Sequence, residues 1–166
     1  MDTSTSVERS QSLGRVLGKR ALIYIGLVVV VFALLLMLNS GHARADTTIT
    51  SGDITTNTVW NGTVDGTIFV ETDVVVHDGA TLTITPGTVV KVNSPYSITV
   101  DGLLLANGNL SAPVTFTSNE SSPMAGDWVG LSFTNDTVAS QLNRVVIDYA
   151  TTGVSVFDGQ LSMSNT

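Results

Sequence analysis

Residues 79–92 read GATLTITPGTVVKV, and this stretch decides the fold class. Within it, residues 80–85 alternate strictly between an apolar side chain and threonine, and the turn residues Pro86 and Gly87 separate them from a second apolar run. Because successive side chains of a strand point to opposite faces, a period of two places one set in a core and the other in solvent. The stretch therefore predicts two short β-strands joined by a turn.

The same pattern recurs along the chain at a nearly fixed interval. Residues 113–117 alternate in the same way, and residues 78–82 align on residues 101–105 with a shift of 23. A hairpin meander would also show such strands and turns, but a repeat in the low twenties with three short strands per repeat is typical of a solenoid. The alignment predicts that Leu82 and Leu105 occupy equivalent inward positions in successive coils.

The first 45 residues resemble a targeting segment rather than part of a core. Residues 21–38 are apolar and uncharged, and basic residues precede them, which places the N-terminus in the cytoplasm and predicts translocation of the rest. Eighteen helical residues span about 27 Å, enough for a retained anchor. Against this, residues 43–45 (Ala-Arg-Ala) form a signal-peptidase pattern that predicts cleavage after Ala45. Residues 1–45 are thus a signal peptide or a membrane anchor, and a buried core helix is disfavoured because nothing downstream is helical.

The remaining chain divides into an end region and repeated coils. We expect residues 46–66 to cap the solenoid, with Trp60 as an apolar plug, because an open end exposes core and unpaired backbone. Residues 67–166 then form the coils. The sequence shows no C-terminal cap and stops directly after the core-like residues 161–163. It therefore suggests a truncated product or a fragment of a longer solenoid.

Composition narrows the class of partner. Residues 46–166 carry two basic residues, Lys91 and Arg144, against twelve acidic ones, a net charge of −10. Nucleic acid is not an expected partner, because its phosphates require clustered lysine and arginine. An anionic polysaccharide is disfavoured unless a divalent cation bridges the like charges. The absence of cysteine from the sequence excludes disulfides, thiolate metal sites and cysteine nucleophiles.

Six segments of the chain, taken in order, carry a resemblance to known proteins: residues 79–92, 98–108, 112–118, 126–133, 142–150 and 153–156. They resemble the opening coils of right-handed parallel β-helix surface proteins of the pectate-lyase-like superfamily. The resemblance covers residues 59–166 and implies an all-β fold, a right-handed parallel β-helix preceded by the N-terminal signal or transmembrane helix. In that fold each strand bonds to the equivalent strand one repeat away, and inward Val, Ile and Leu form a continuous core.

Candidate chemical groups are few, and each has a structural explanation. Four Asp-Gly pairs could stack at one corner and bind calcium, as in pectate lyases, but Asp-Gly is also ordinary turn chemistry. Arg144 could serve as a lyase base, or form a solvated ion pair with Asp148 on a shared strand face. His77 lacks the sequence context of a catalytic triad and is interpreted as an exposed loop residue. The Asp-Gly pairs are Asp65-Gly66, Asp78-Gly79, Asp101-Gly102 and Asp158-Gly159.

Two further sets of residues have both a structural and a functional interpretation. Aromatic residues could stack on sugar rings if they point outward, although Trp128 is expected to pack at a corner, since so large an apolar body contributes most when buried. Four segments match glycosylation sequons, and such matches arise by chance in a chain rich in Asn, Ser and Thr. The aromatic residues are Trp60, Tyr96, Trp128 and Tyr149, and the sequons begin at Asn61, Asn109, Asn119 and Asn135.

These observations predict an extracellular or cell-surface protein that touches the membrane only through its N-terminal segment, with residues 21–38 as the anchor if they are retained. We expect a non-catalytic adhesion, matrix or glycan-contact module whose partners are extracellular polysaccharides or cell-surface glycans. The alternative is the N-terminal fragment of a polysaccharide lyase or glycoside hydrolase with its active coils beyond Thr166. For residues 46–166 we expect no catalytic residue, metal ligand or cofactor.

Overall fold

The computed structural model describes residues 44–134, 137 and 139–166, and the regular structure of these residues is entirely β. Strands are short because turn residues interrupt the alternating pattern every few positions. The fifteen strands of the described residues are β1 (Thr47–Ile49), β2 (Asp53–Ile54), β3 (Thr58–Trp60), β4 (Ile68–Val70), β5 (Val74–Val76), β6 (Thr81–Ile84), β7 (Val89–Val92), β8 (Ile98–Val100), β9 (Leu103–Asn107), β10 (Val114–Ser118), β11 (Leu131–Phe133), β12 (Ala139–Asn143), β13 (Val145–Ile147), β14 (Val154–Val156) and β15 (Gln160–Ser164).

The strands form three five-stranded parallel sheets. The first sheet has the order β1-β4-β7-β10-β13, the second β2-β5-β8-β11-β14 and the third β3-β6-β9-β12-β15. Each strand therefore pairs with the strand three positions further along the chain, and one passage through the three sheets makes one coil. The described residues thus form a parallel β-solenoid of five coils, which confirms the predicted all-β solenoid.

Coil length is in the low twenties at the start and increases later. Thr47 pairs with Ile68, and Ile68 with Val90, so the first two coils advance by 21 and 22 residues. Between Val114 and Val145 the advance is 31 residues, because longer connections lie between β10 and β11 and between β11 and β12. The strands keep their pairing while the corners absorb the insertions.

The predicted equivalence of Leu82 and Leu105 is wrong by one residue. In the third sheet Leu82 pairs with Leu104, which is fully buried, while Leu105 pairs with Thr83 on the outer face. The cause is the corner between the second and third sheets, which has four residues in the second coil and two in the third. The register shift is consequently 24 in the second sheet, where Val76 pairs with Val100, and 22 in the third.

Buried polar side chains in this core have hydrogen-bond partners. The fully buried Thr88 accepts a hydrogen bond from the Gly62 amide (2.9 Å) and donates one to the Thr85 carbonyl oxygen (2.8 Å). Ser140 accepts one from the Leu104 amide (3.0 Å). Because an unpartnered buried polar group costs about 1–3 kcal/mol, these bonds make the polar residues compatible with a core built otherwise from stacked apolar side chains.

At the N-terminal end of the solenoid, residues 46–66 contribute β1 to β3 of the first coil, and Trp60 is buried, with 4% of its surface exposed. Their role as a cap stays a prediction. The apolar segment 21–38 lies outside the described residues. In the part of the chain that the structure describes, no helix has the length and apolarity to span a bilayer.

Candidate functional site

Three of the four Asp-Gly pairs lie at one corner, between the second and third sheets, whereas Asp65-Gly66 lies between the third and first. Gly66 and Gly79 have positive φ (67° and 79°), as turn chemistry requires. In the last pair Asp158 itself has the positive φ. Among the described residues, no group of three or more acidic or histidine side chains is placed to hold a metal ion. The positive φ of the glycine agrees with the turn interpretation at Asp65-Gly66 and Asp78-Gly79.

Arg144 does not share a strand face with Asp148. Its φ is 51°, and it forms the corner between β12 and β13, so the alternation that would align the two residues is interrupted there. The backbone of Arg144 forms hydrogen bonds with the neighbouring coils: its amide donates to the Ser164 carbonyl oxygen (3.0 Å) and its carbonyl oxygen accepts from the Val114 amide (3.2 Å). The described residues show no ion pair between Arg144 and Asp148, so the expected shared strand face and the ion-pair alternative are both wrong.

His77 lies in an exposed loop, as predicted, and links two coils. Its Nε2 lies 2.7 Å from Asp53 Oδ1, and the two side chains are 43% and 72% exposed. His77 follows β5 and Asp53 begins β2, so the contact joins the first coil to the second. An exposed pair of this kind contributes little to stability.

Burial removes the two tryptophans from the set of candidate sugar-stacking residues. Trp128 is fully buried, stacks on Phe116 with ring centroids 6.5 Å apart and donates from Nε1 to the Asp148 carbonyl oxygen (2.9 Å). This confirms that Trp128 packs at a corner. Trp60 is in the core, and Tyr149 remains on the surface with 42% exposure.

The outer face of the third sheet has a composition that differs from those of the other two sheets. We call its twelve outward residues the third-sheet face, and none of them carries a charge. By contrast, Lys91 points outward from the first sheet and Asp53 from the second. The third-sheet face consists of Val59, Thr81, Thr83, Leu103, Leu105, Asn107, Ala139, Gln141, Asn143, Gln160, Ser162 and Ser164.

The third-sheet face combines aliphatic side chains with polar ones. Leu103 and Leu105 are adjacent outward positions on β9, and Val59 is 58% exposed on β3. Hydroxyl and amide side chains flank them on β6 and β12. A hollow of ≈ 150 Å³ adjoins the face; it is lined by Thr81 and Leu103 of the face and by corner residues that include the acidic Asp78. Such a surface can bury apolar groups and exchange hydrogen bonds without requiring a charged ligand.

The sequence prediction placed Leu105 inward and therefore missed this face. The signal that could have revealed it is the run of three leucines, residues 103–105. In a strand with one buried face, three successive leucines cannot all point inward, so at least one must be on the surface.

The outer dimensions of this face follow from strand geometry. Five strands about 4.8 Å apart extend about 19 Å along the solenoid, and a five-residue strand such as β9 is about 16 Å long. The area, about 300 Å², is well below the roughly 800 Å² per partner of a stable protein–protein interface. A flat, uncharged area of this size suits an elongated small ligand better than a folded protein.

The three parallel sheets and their coil-by-coil pairing define a parallel β-helix, and the family match identifies it as the right-handed form. The sequence model of the pectate-lyase-like β-helix domain matches residues 52–160, about two thirds of the chain, and the chain belongs to this family. No curated protein and no solved structure matches the chain. The family match confirms the resemblance that the sequence shows, and it extends over all three sheets.

Proposed function

We propose that this protein is an exported, non-catalytic β-helix that binds uncharged extracellular polysaccharide or cell-surface glycan through the third-sheet face. Export rests on the N-terminal sequence: the apolar residues 21–38 and the Ala-Arg-Ala pattern at residues 43–45. The observation that carries the glycan assignment is the absence of charge from the twelve residues of that face, in a part of the chain with a net charge of −10.

Sugar rings present apolar C–H surfaces and hydroxyl edges, and the third-sheet face offers a matching group for each. Leu103 and Leu105 provide apolar contact, while Thr83 and Gln141, on the neighbouring strands, can donate and accept hydrogen bonds. An anionic glycan would meet the repulsion of the acidic corners without a cation on the face to offset it. The proposal therefore specifies neutral glycans.

A binding role is favoured over hydrolysis because of where the carboxylates lie. A glycosidase generally needs two carboxyl groups about 5–9.5 Å apart on either side of the scissile bond. The third-sheet face has none, and the acidic side chains of the described residues lie at corners and strand ends. We expect residues 46–166 to release neither reducing ends nor unsaturated products from neutral glycans or polygalacturonate, with or without calcium.

Binding to defined oligosaccharides tests the proposal. Calorimetry would be carried out with neutral oligosaccharides of the cellulose, mannan and chitin types, and with polygalacturonate as the charged comparison. We expect binding to at least one neutral class and none to polygalacturonate. Binding should be lost in Leu105→Ser and unchanged in Val146→Ser, because Val146 is an outward residue of the first sheet.

Both variants change an outward residue, so equal melting temperatures would show that any loss of binding is local. The proposal is wrong if no neutral class binds, or if Leu105→Ser binds as well as the parent chain.

A further inference from the structure

The sequons of this chain are distinguished by their geometry rather than by their sequence. A match to Asn-x-Ser/Thr is weak by itself in a chain of this composition. Three of the four sequons, at Asn61, Asn109 and Asn119, lie within the described residues, and the fourth, at Asn135, does not. Transfer of a glycan requires that the carboxamide nitrogen be accessible and that the segment can enter an enzyme's site. These two requirements separate the three sequons.

Asn119 is unsuited to modification because its amide group is already engaged. Its Nδ2 donates to Asn93 Oδ1 at 2.7 Å, a partly buried contact between side chains of successive coils. A glycosylated carboxamide nitrogen keeps one hydrogen, but the added sugar would be forced into this partly buried corner between the first and second sheets.

Asn61 is unsuited because its sequon is packed into the coil. Its Oδ1 accepts hydrogen bonds within its own turn from the Thr63 amide (3.0 Å) and hydroxyl (2.7 Å), as the other exposed sequon does, but it also accepts one from the Thr85 hydroxyl of the next coil (3.1 Å). The middle residue, Gly62, is buried, and a Cβ there would lie 2.8 Å from Thr88 Cα. An enzyme could not surround this peptide without unfolding the coil.

Asn109 meets both requirements. It is exposed in the connection between β9 and β10, and the following Leu110 is 85% exposed. Its Oδ1 accepts from the Ser111 amide (3.0 Å), the Ser111 hydroxyl (3.0 Å) and the Ala112 amide (2.9 Å). Because the carboxamide is planar, anchoring Oδ1 against the turn directs Nδ2 away from it.

We propose that Asn109 is an acceptor for an N-linked glycan in the folded protein. The donor class is a lipid-linked oligosaccharide pyrophosphate. The Asn109 Nδ2–C1 bond forms, the C1–O bond to the lipid pyrophosphate breaks with its electron pair, and Nδ2 loses one proton to a base of the transferase. In a cell this modification rests on the proposed export, because the donor and transferase act on translocated chains.

The test bypasses export, so its failure is distinguishable from failure of the proposed function. The purified full-length chain, folded and in detergent, would be incubated with a lipid-linked oligosaccharide and an oligosaccharyltransferase. All variants would carry Asn135→Gln, which removes the sequon outside the described residues. Intact mass spectrometry would measure addition of one oligosaccharide, and circular dichroism would verify folding.

We expect one oligosaccharide on the Asn135→Gln chain, the same on chains that also carry Asn61→Gln or Asn119→Gln, and background on the chain that also carries Asn109→Gln. Ser111→Ala should likewise reduce addition to background, while Ser111→Thr, which keeps the hydroxyl, should retain it. Absence of any addition to the folded parent, or addition that persists after Asn109→Gln, would overturn the proposal.

Discussion

Replacing Leu104 or Leu105 by alanine tests the register of the solenoid with two neighbouring leucines. Leu104 is fully buried, opposite Leu82 on one side and beside the small, buried Ser140 on the other. Removing its three outer carbons forfeits about 2.5 kcal/mol of transfer free energy, at about 0.8 kcal/mol per carbon. Because Ser140 is too small to fill the space, a cavity term adds to this cost, and we expect a total of about 3–4 kcal/mol.

Leu105 is the matched control, since it has the same side chain one position later. It is on the outer face and partly exposed, so Leu105→Ala should change the free energy of unfolding by less than about 1 kcal/mol. For a domain of this size, 1 kcal/mol corresponds to about 3–5 °C in melting temperature. Leu104→Ala should therefore lower the melting temperature by about 9–20 °C, and Leu105→Ala by less than about 5 °C.

The assay is thermal and urea unfolding of residues 46–166, with circular dichroism as the signal. Glycan binding is measured on the same samples below the melting temperature. Leu104→Ala should lose stability while its folded fraction retains glycan binding. Leu105→Ala should retain stability and lose glycan binding. If the two variants lose stability equally, or if Leu105→Ala loses more, the register described for the third sheet is wrong.

Three further predictions concern other parts of the chain. Gly130→Ala should cost more than about 4 kcal/mol or prevent folding, because a Cβ there would lie 1.7 Å from the Thr152 carbonyl oxygen. Gly79→Ala, at a φ of 79° and with nothing within 4 Å of the added Cβ, should cost only about 1–2 kcal/mol, and urea titration would compare the two variants. Trp128→Phe removes the indole hydrogen bond and should lower stability by about 1–3 kcal/mol in the same titration; an unchanged midpoint would contradict this. Processing should leave a chain whose N-terminal residue follows Ala45, which Edman sequencing of the exported product can verify; a membrane-bound species that begins at residue 1 would instead establish the anchor.

The candidate site was less predictable than the fold. The sequence correctly indicated that Trp128 is buried and that His77 is exposed. It did not indicate that Arg144 has positive φ and breaks its strand, because an arginine there looks like any other residue of an alternating run. It also could not assemble the third-sheet face, since positions such as Thr83 and Gln141 are 58 residues apart in the sequence.

The sequence by itself determined the all-β class, the short strands and a repeat in the low twenties, because the period-two alternation and the turn residues act locally. Only the tertiary structure decided which leucine of residues 103–105 is in the core. The shift is 24 in the second sheet and 22 in the third, so the shift of 23 read from the alignment of residues 78–82 with 101–105 applies to neither sheet. The physical reason is that side-chain direction reverses at every residue of a strand, so an error of one residue in the register places an inward side chain on the outer face. The corner before the third sheet is two residues shorter in the third coil, which changes the register of the strand that follows. Only the backbone pairing between coils fixes that register.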